Sequence, residues 1–127
     1  MLQELKPGLT GTAETVVRET NTALAMGSCS LQVFATPCMV ALMEQAACNA
    51  VDPCFNDSES SVGTLVNITH DAATALGKKV TATATLVEVQ GRKLVFEVTA
   101  ADEDKQIGKG RHERFIINKE KFMAKLG

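Results

Sequence analysis

Residues 36–53 read Thr36-Pro37-Cys38-Met39-Val40-Ala41-Leu42-Met43-Glu44-Gln45-Ala46-Ala47-Cys48-Asn49-Ala50-Val51-Asp52-Pro53, and this stretch decides the fold. Thr36-Pro37 is a helix start. A hydroxyl side chain caps the first turn, and proline at the first helical position gives up an N–H that has no helical partner anyway. Asp52-Pro53 ends the helix, because the residue before proline is driven out of the helical region. Between these signals the sequence is apolar nearly all round, which predicts a helix over 37–51 buried on most sides.

Working outward, the flanks read as strands. Leu9–Arg18 alternates and is rich in Thr and Val. A short helical piece over Thr20–Met26, capped by Thr20 or Asn21 and ended by Gly27, leads into the polar connection Gly27–Ser30. After the helix, Ser61–Thr69, Lys79–Val89, Arg92–Ala100 and Gln106–Ile117 are four further strands, with a tight turn at Gln90-Gly91. Asn118–Leu126 closes the chain as a helical tail. Short connections favour antiparallel neighbours. One helix cannot cover a five-stranded sheet that curls around it, so a homodimer is expected.

The 127 residues carry a net charge of −2 and are 45% apolar. The length suits a single domain, 1–127, and the composition excludes a disordered chain or a linker. No apolar run reaches the roughly 18 residues of a membrane span, and the N-terminus lacks the pattern of a secretory signal. With no Trp or Tyr and five Phe, a stacking platform for nucleic acid is not expected. Charge is uneven: Lys105–Gly127 holds seven basic residues against two acids. That end is either a solvated surface or an attractor for a phosphorylated ligand.

Cys29, Cys38, Cys48 and Cys54 show no C-x-x-C spacing, and neither histidine lies near a cysteine. This argues against a metal site or a redox pair and for free thiols in a reducing cytoplasm. Cys38, at the helix start, is the one candidate for a reactive thiol.

Four residues stand out chemically. Glu44 is the only charged residue between Thr36 and Val51. A carboxylate there either pairs with a structural partner or acts as an acid or base. Thr36 either caps the helix or offers its hydroxyl beside the helix N-terminus, where N–H groups can hold an oxyanion. Strict alternation puts Val62, Thr64, Val66, Ile68 and His70 on one apolar face. His70 at its mouth suits proton transfer near neutral pH or a satisfied core role. Gly63 marks a bulge or a close approach to a ligand. His112 reads as a polar strand residue without a visible partner. Eight residues of helix separate Thr36 from Glu44 by about 12 Å and about 80°. The two therefore flank a long ligand or belong to different subunits' halves of a cleft.

Val33-Phe34-Ala35-Thr36, Met39-Val40, Leu42-Met43-Glu44, Gly63-Thr64, Thr69-His70, Ala72-Ala73-Thr74, Gly91-Arg92 and Gly110 through His112-Glu113-Arg114 together resemble the hot-dog-fold thioesterases. The match is best with the branch that contains fluoroacetyl-CoA thioesterase, and it spans about Leu5 to Lys125. The resemblance implies an α+β hot-dog fold, a curved antiparallel sheet of about five strands around a long central helix, working as a homodimer. It implies hydrolysis of short-chain acyl-CoA thioesters without a cofactor or metal. The catalytic set falls on Thr36, Glu44 and His70, and the substrate-binding positions on Gly63, Thr64 and Arg114. The branch's gate phenylalanines are replaced here by Gly27 and Ser30, which argues against fluoroacetyl-CoA itself. A non-catalytic acyl-CoA binding or sensing dimer on the same fold is the alternative.

Overall fold

Alternation in the last three strands becomes one wall of the core. The computed structural model describes residues 2–127. In it β1 (Thr10–Val16), α1 (Ala23–Met26), α2 (Thr36–Val51), β2 (Glu59–His70), β3 (Lys79–Gln90), β4 (Lys93–Asp102), β5 (Gln106–Asn118) and α3 (Lys119–Ala124) follow in order. A single 3₁₀ turn over Asp52–Cys54 follows α2. All strand pairs are antiparallel, in the order β1-β3-β4-β5-β2. The α+β architecture is the expected one, a curled sheet around a long helix.

Val80, Ala82, Ala84 and Leu86 of β3 and Leu94, Phe96, Val98 and Ala100 of β4 point inward and are buried. They meet Met39, Leu42, Met43, Ala46, Ala47, Ala50 and Val51 of α2. Each large side chain removed from water here contributes about 1.5–3 kcal/mol. The many alanines let the helix lie close to the sheet. At Gly11 of β1 the approach is closest: a Cβ there would collide with the Ala46 carbonyl and the Ala50 backbone.

Several expectations are corrected in detail. Thr22, not Thr20 or Asn21, caps α1 by accepting from Ala25 N–H at 3.2 Å; Asn21 instead donates to the Val16 carbonyl. Helix α2 keeps an exposed stripe at Ala41, Gln45 and Asn49, so it is buried on its sheet side only. Its N-cap is Ala35, which provides no side-chain hydrogen bond. Thr36 is the first helical residue and does not cap.

β2 joins β5 at the far side of the sheet rather than its sequence neighbour β3. A bulge between Gly63 and Leu65 breaks its alternation, so Val66, Ile68 and His70 share the expected face but Val62 and Thr64 do not. Cross-strand pairing places Ser61 and Gly63 on the inner face before the bulge and Val66, Ile68 and His70 after it. Thr64 is the extra residue. The free side of β2 carries no partner strand. Among the described residues no helix is long and apolar enough to cross a membrane.

Candidate active site

His70 is the last residue of β2, paired with Gly108 of β5. The turn after it is held by Thr69 Oγ1, which donates to Asp71 Oδ2 at 2.8 Å, and by Asp71 N–H, which donates to the Ile107 carbonyl. This fixes the imidazole over the start of α2. There Thr36 Oγ1 lies 2.7 Å from His70 Nδ1. The hydroxyl is available because it does not cap the helix. Burial pushes the His70 pKa below its ordinary value, only partly offset by the Ala72 backbone and the Asp71 charge. The ring is therefore neutral at pH 7, and its Nδ1 lone pair can accept the Thr36 proton. His70 Nε2 is buried and has no hydrogen-bond partner, an orphaned polar group of the kind that a ligand or partner satisfies. Beside the pair opens a cavity of about 280 Å³, lined by Ser28, Cys29, Phe34, Thr36, His70 and Ala72 among others.

Two turns along α2, Glu44 projects into a second cluster. Its side chain is 39% exposed, so the carboxylate is neither buried nor unpaired. Arg114 Nη1 donates to Glu44 Oε2 at 3.3 Å. Arg114 itself is buried. Its Nε donates to Ser61 Oγ at 2.8 Å and its Nη2 to the Ser61 carbonyl at 2.9 Å. His112 Nε2 lies 3.1 Å from Arg114 Nη1, and His112 Nδ1 lies 2.8 Å from the Leu65 carbonyl. Gly63 faces this cluster. A Cβ at Gly63 would stand 2.6 Å from Glu44 Oε2, so the small residue makes room for the carboxylate.

The structure thus brings Thr36 to His70 and Glu44 to Arg114 and Gly63. Thr36–His70 and Glu44–Arg114 are separate clusters within the chain. Thr64 lies outside both, its hydroxyl donating to the Glu113 carbonyl at 3.2 Å. Gly27 ends α1 in the left-handed region at φ 72°, and Ser30 is exposed. The basic end is not one patch, since Lys105 pairs with Asp102, Arg111 with Glu113, and Arg114 is buried. Burial raises the thiol pKa of Cys38, Cys48 and Cys54, which disfavours the thiolate form.

His112 corrects the sequence expectation. It is buried, stacked on Phe96 and hydrogen-bonded at both nitrogens. Ser61 was not singled out in the sequence. The signal for His112 was its two-residue offset from Arg114, which puts both on the inner face of β5.

The family model for fluoroacetyl-CoA-specific thioesterase matches residues 17–120. The fluoroacetyl-CoA thioesterase of Streptantibioticus cattleyicolor is 48% identical over 95 residues, covering 75% of this chain and 68% of that one. The crystal structure of a variant fluoroacetyl-CoA-specific thioesterase in complex with fluoroacetate and CoA aligns at a TM-score of 0.87 and 40% identity, over 93% of this chain and 99% of that one. A thioesterase superfamily member from Thermus thermophilus aligns at 0.88 and 29% identity, over 98% and 93%. The fold is the hot-dog fold.

Proposed function

Because the chain belongs to the fluoroacetyl-CoA-specific thioesterase family, we propose that it hydrolyses short-chain acyl-CoA thioesters to the free acid and coenzyme A. The observation that carries this is the 2.7 Å contact between Thr36 Oγ1 and His70 Nδ1 beside a cavity. That distance is within the range for a nucleophile and its base. Thr36 Oγ attacks the thioester carbonyl as its proton passes to His70 Nδ1. N–H groups at the start of α2 stabilise the oxyanion. The coenzyme A thiolate leaves, taking a proton from the imidazolium, and water then releases the acid from Thr36. Glu44 has no hydrogen bond to His70 and sits two turns from Thr36, so it serves as the base toward that water from across the cleft shared with a second copy of the chain, rather than as the third member of a relay.

The working form is a homodimer joined through β2. This strand has twelve residues, an unpaired edge, and Leu65 and Val66 exposed at 39% and 42%. An edge of that length and polarity invites a second copy. Sedimentation should give twice the 13.5 kDa chain mass; a monomer that still turns over would refute the assembly. Free thiols at all four cysteines suit a reducing cytoplasm.

The test is release of coenzyme A thiol from acetyl-, fluoroacetyl-, butyryl- and hexanoyl-CoA by the wild-type protein and by Thr36→Ala. The proposal expects turnover of the short acyl groups and its loss in Thr36→Ala. Tight binding of acyl-CoA without turnover would identify a binding dimer instead.

A further inference from the structure

His112 sits where the proposed chemistry assigns it nothing to do, and its hydrogen bonds define its state. The Leu65 carbonyl can only accept, so His112 Nδ1, 2.8 Å away, carries a proton. Arg114 Nη1 can only donate, so His112 Nε2, 3.1 Å away, presents its lone pair. Only the neutral Nδ1–H tautomer satisfies both contacts. Protonating Nε2 would set two N–H groups head to head.

We propose that His112 is a positioning residue: in this tautomer it fixes the Arg114 guanidinium, which in turn presents the Glu44 carboxylate to the cleft. Arg114 Nη1 has two hydrogens, and the geometry gives one to His112 and the other to Glu44 Oε2. Nε and Nη2 are clamped on Ser61. The guanidinium plane is thus held on two sides, by β2 through Ser61 and by its own strand through His112. Without His112 the guanidinium plane can rock about the Nε–Nη2 line that Ser61 holds, and Glu44, itself part-exposed, follows Nη1. The groups facing His112 are accounted for on every side: Arg114 and Glu113 on β5, Glu44 on α2, the uncharged Leu65 carbonyl on β2 and the Phe96 ring on β4. Burial, with Arg114 adding to it, holds the His112 pKa below its ordinary value, so the neutral form persists where hydrolysis would run.

The role of Glu44 rests on the thioesterase proposal, and the experiment separates the two. In the wild-type protein, nitrogen NMR should show His112 with Nδ1 protonated and Nε2 bare, and more than half neutral at pH 6.5. His112→Phe keeps the stack on Phe96 and removes both hydrogen bonds. His112→Gln restores an acceptor near the Nε2 position. The carbon resonance of the Glu44 carboxyl should move in His112→Phe and return toward wild type in His112→Gln. On the best acyl-CoA, kcat should fall about 10- to 100-fold in His112→Phe, the loss that a displacement of up to about 1 Å in a site residue brings. KM should change little, and His112→Gln should recover most of the rate. An Nε2–H tautomer, or a Glu44 resonance unmoved in folded His112→Phe, would overturn the proposal whether or not the protein hydrolyses thioesters. Unchanged kcat in an active, folded His112→Phe alongside a moved resonance would overturn it too, as would a folded His112→Gln no faster than His112→Phe. Absence of hydrolysis in the wild type, with the tautomer and the resonance as expected, would count against the thioesterase proposal alone.

Discussion

Gly63→Ala separates activity from stability. The added Cβ would stand 2.6 Å from Glu44 Oε2, 3.3 Å from His112 Cε1 and 3.4 Å from Arg114 Nη1. Ordinary contact begins near 3.4 Å, so the carboxylate must retreat by about 0.8 Å while the other two atoms hardly move. Glu44 can retreat, because its side chain is 39% exposed. Gly63 does not occupy the left-handed region, so alanine brings no backbone strain and removes some freedom from the unfolded chain, worth about 0.4–1 kcal/mol. These effects offset one another, and the melting temperature should stay within a few degrees of wild type. Activity should not survive as well. A misplacement near 1 Å costs on the order of 100-fold in rate, so kcat on the best short acyl-CoA should fall about 30- to 100-fold, with KM changed much less. The assay is steady-state thiol release beside a thermal melt. A folded Gly63→Ala protein with wild-type kcat would show that Glu44 need not sit where it does.

Three other outcomes follow from the same coordinates. Glu44→Gln should lower kcat by about 100- to 10,000-fold, the usual range for a lost acid or base, with only a small drop in melting temperature, because the side chain is part-exposed and an amide oxygen can still accept from Arg114 Nη1. Gly11→Ala should destabilise the fold by at least about 2 kcal/mol in a denaturant titration, since its Cβ meets helix backbone that cannot yield. Asp102 accepts from Lys105 Nζ and Thr74 Oγ1, each at 2.8 Å, and from the N–H groups of Asp104 and Lys105. Burial opposes the charge there, but these donors hold the carboxyl well below the usual carboxylate range. Its contribution is therefore complete above the unfolded pKa near 4 and is lost as pH falls below it. Asp102→Asn should cost about 2 kcal/mol at pH 7, and the gap in melting temperature to wild type should narrow steadily below about pH 4.

The limits of α2 and of the long strands are legible in the sequence because punctuation and period both mark them. Thr36-Pro37 opens the helix and Asp52-Pro53 closes it, while Lys79–Gln90 alternates along its inner face. Three features of the site are not legible, each for a physical reason. A threonine before proline looks the same whether its hydroxyl caps the helix or faces a histidine 34 residues away. The bulge at Thr64 puts Ser61 and Gly63, in place of Val62 and Thr64, on the face of Val66, Ile68 and His70, and no local composition announces it. His112 lies 47 residues from its partner Leu65 on β2, and its neighbour Arg114 lies 70 residues from Glu44 on α2. Only the crossing of β2 to the far side of β5 brings them together. Glu44 drew attention as a lone charge on an apolar helix, but its pairing with Arg114 could not be read from helix spacing, since the partner lies on another element.

The central claim is that Thr36 and His70 form the reacting pair, and it is tested most directly at His70. The measurement is kcat/KM for thiol release from the best short acyl-CoA, wild type against His70→Ala, with melting curves of both. The account predicts a protein that melts close to wild type and loses at least about 100-fold in kcat/KM. Its wild-type rate should fall only as pH drops below about 6.5, because burial holds the His70 pKa under its ordinary value. A folded His70→Ala protein that hydrolyses the thioester at the wild-type rate would contradict it.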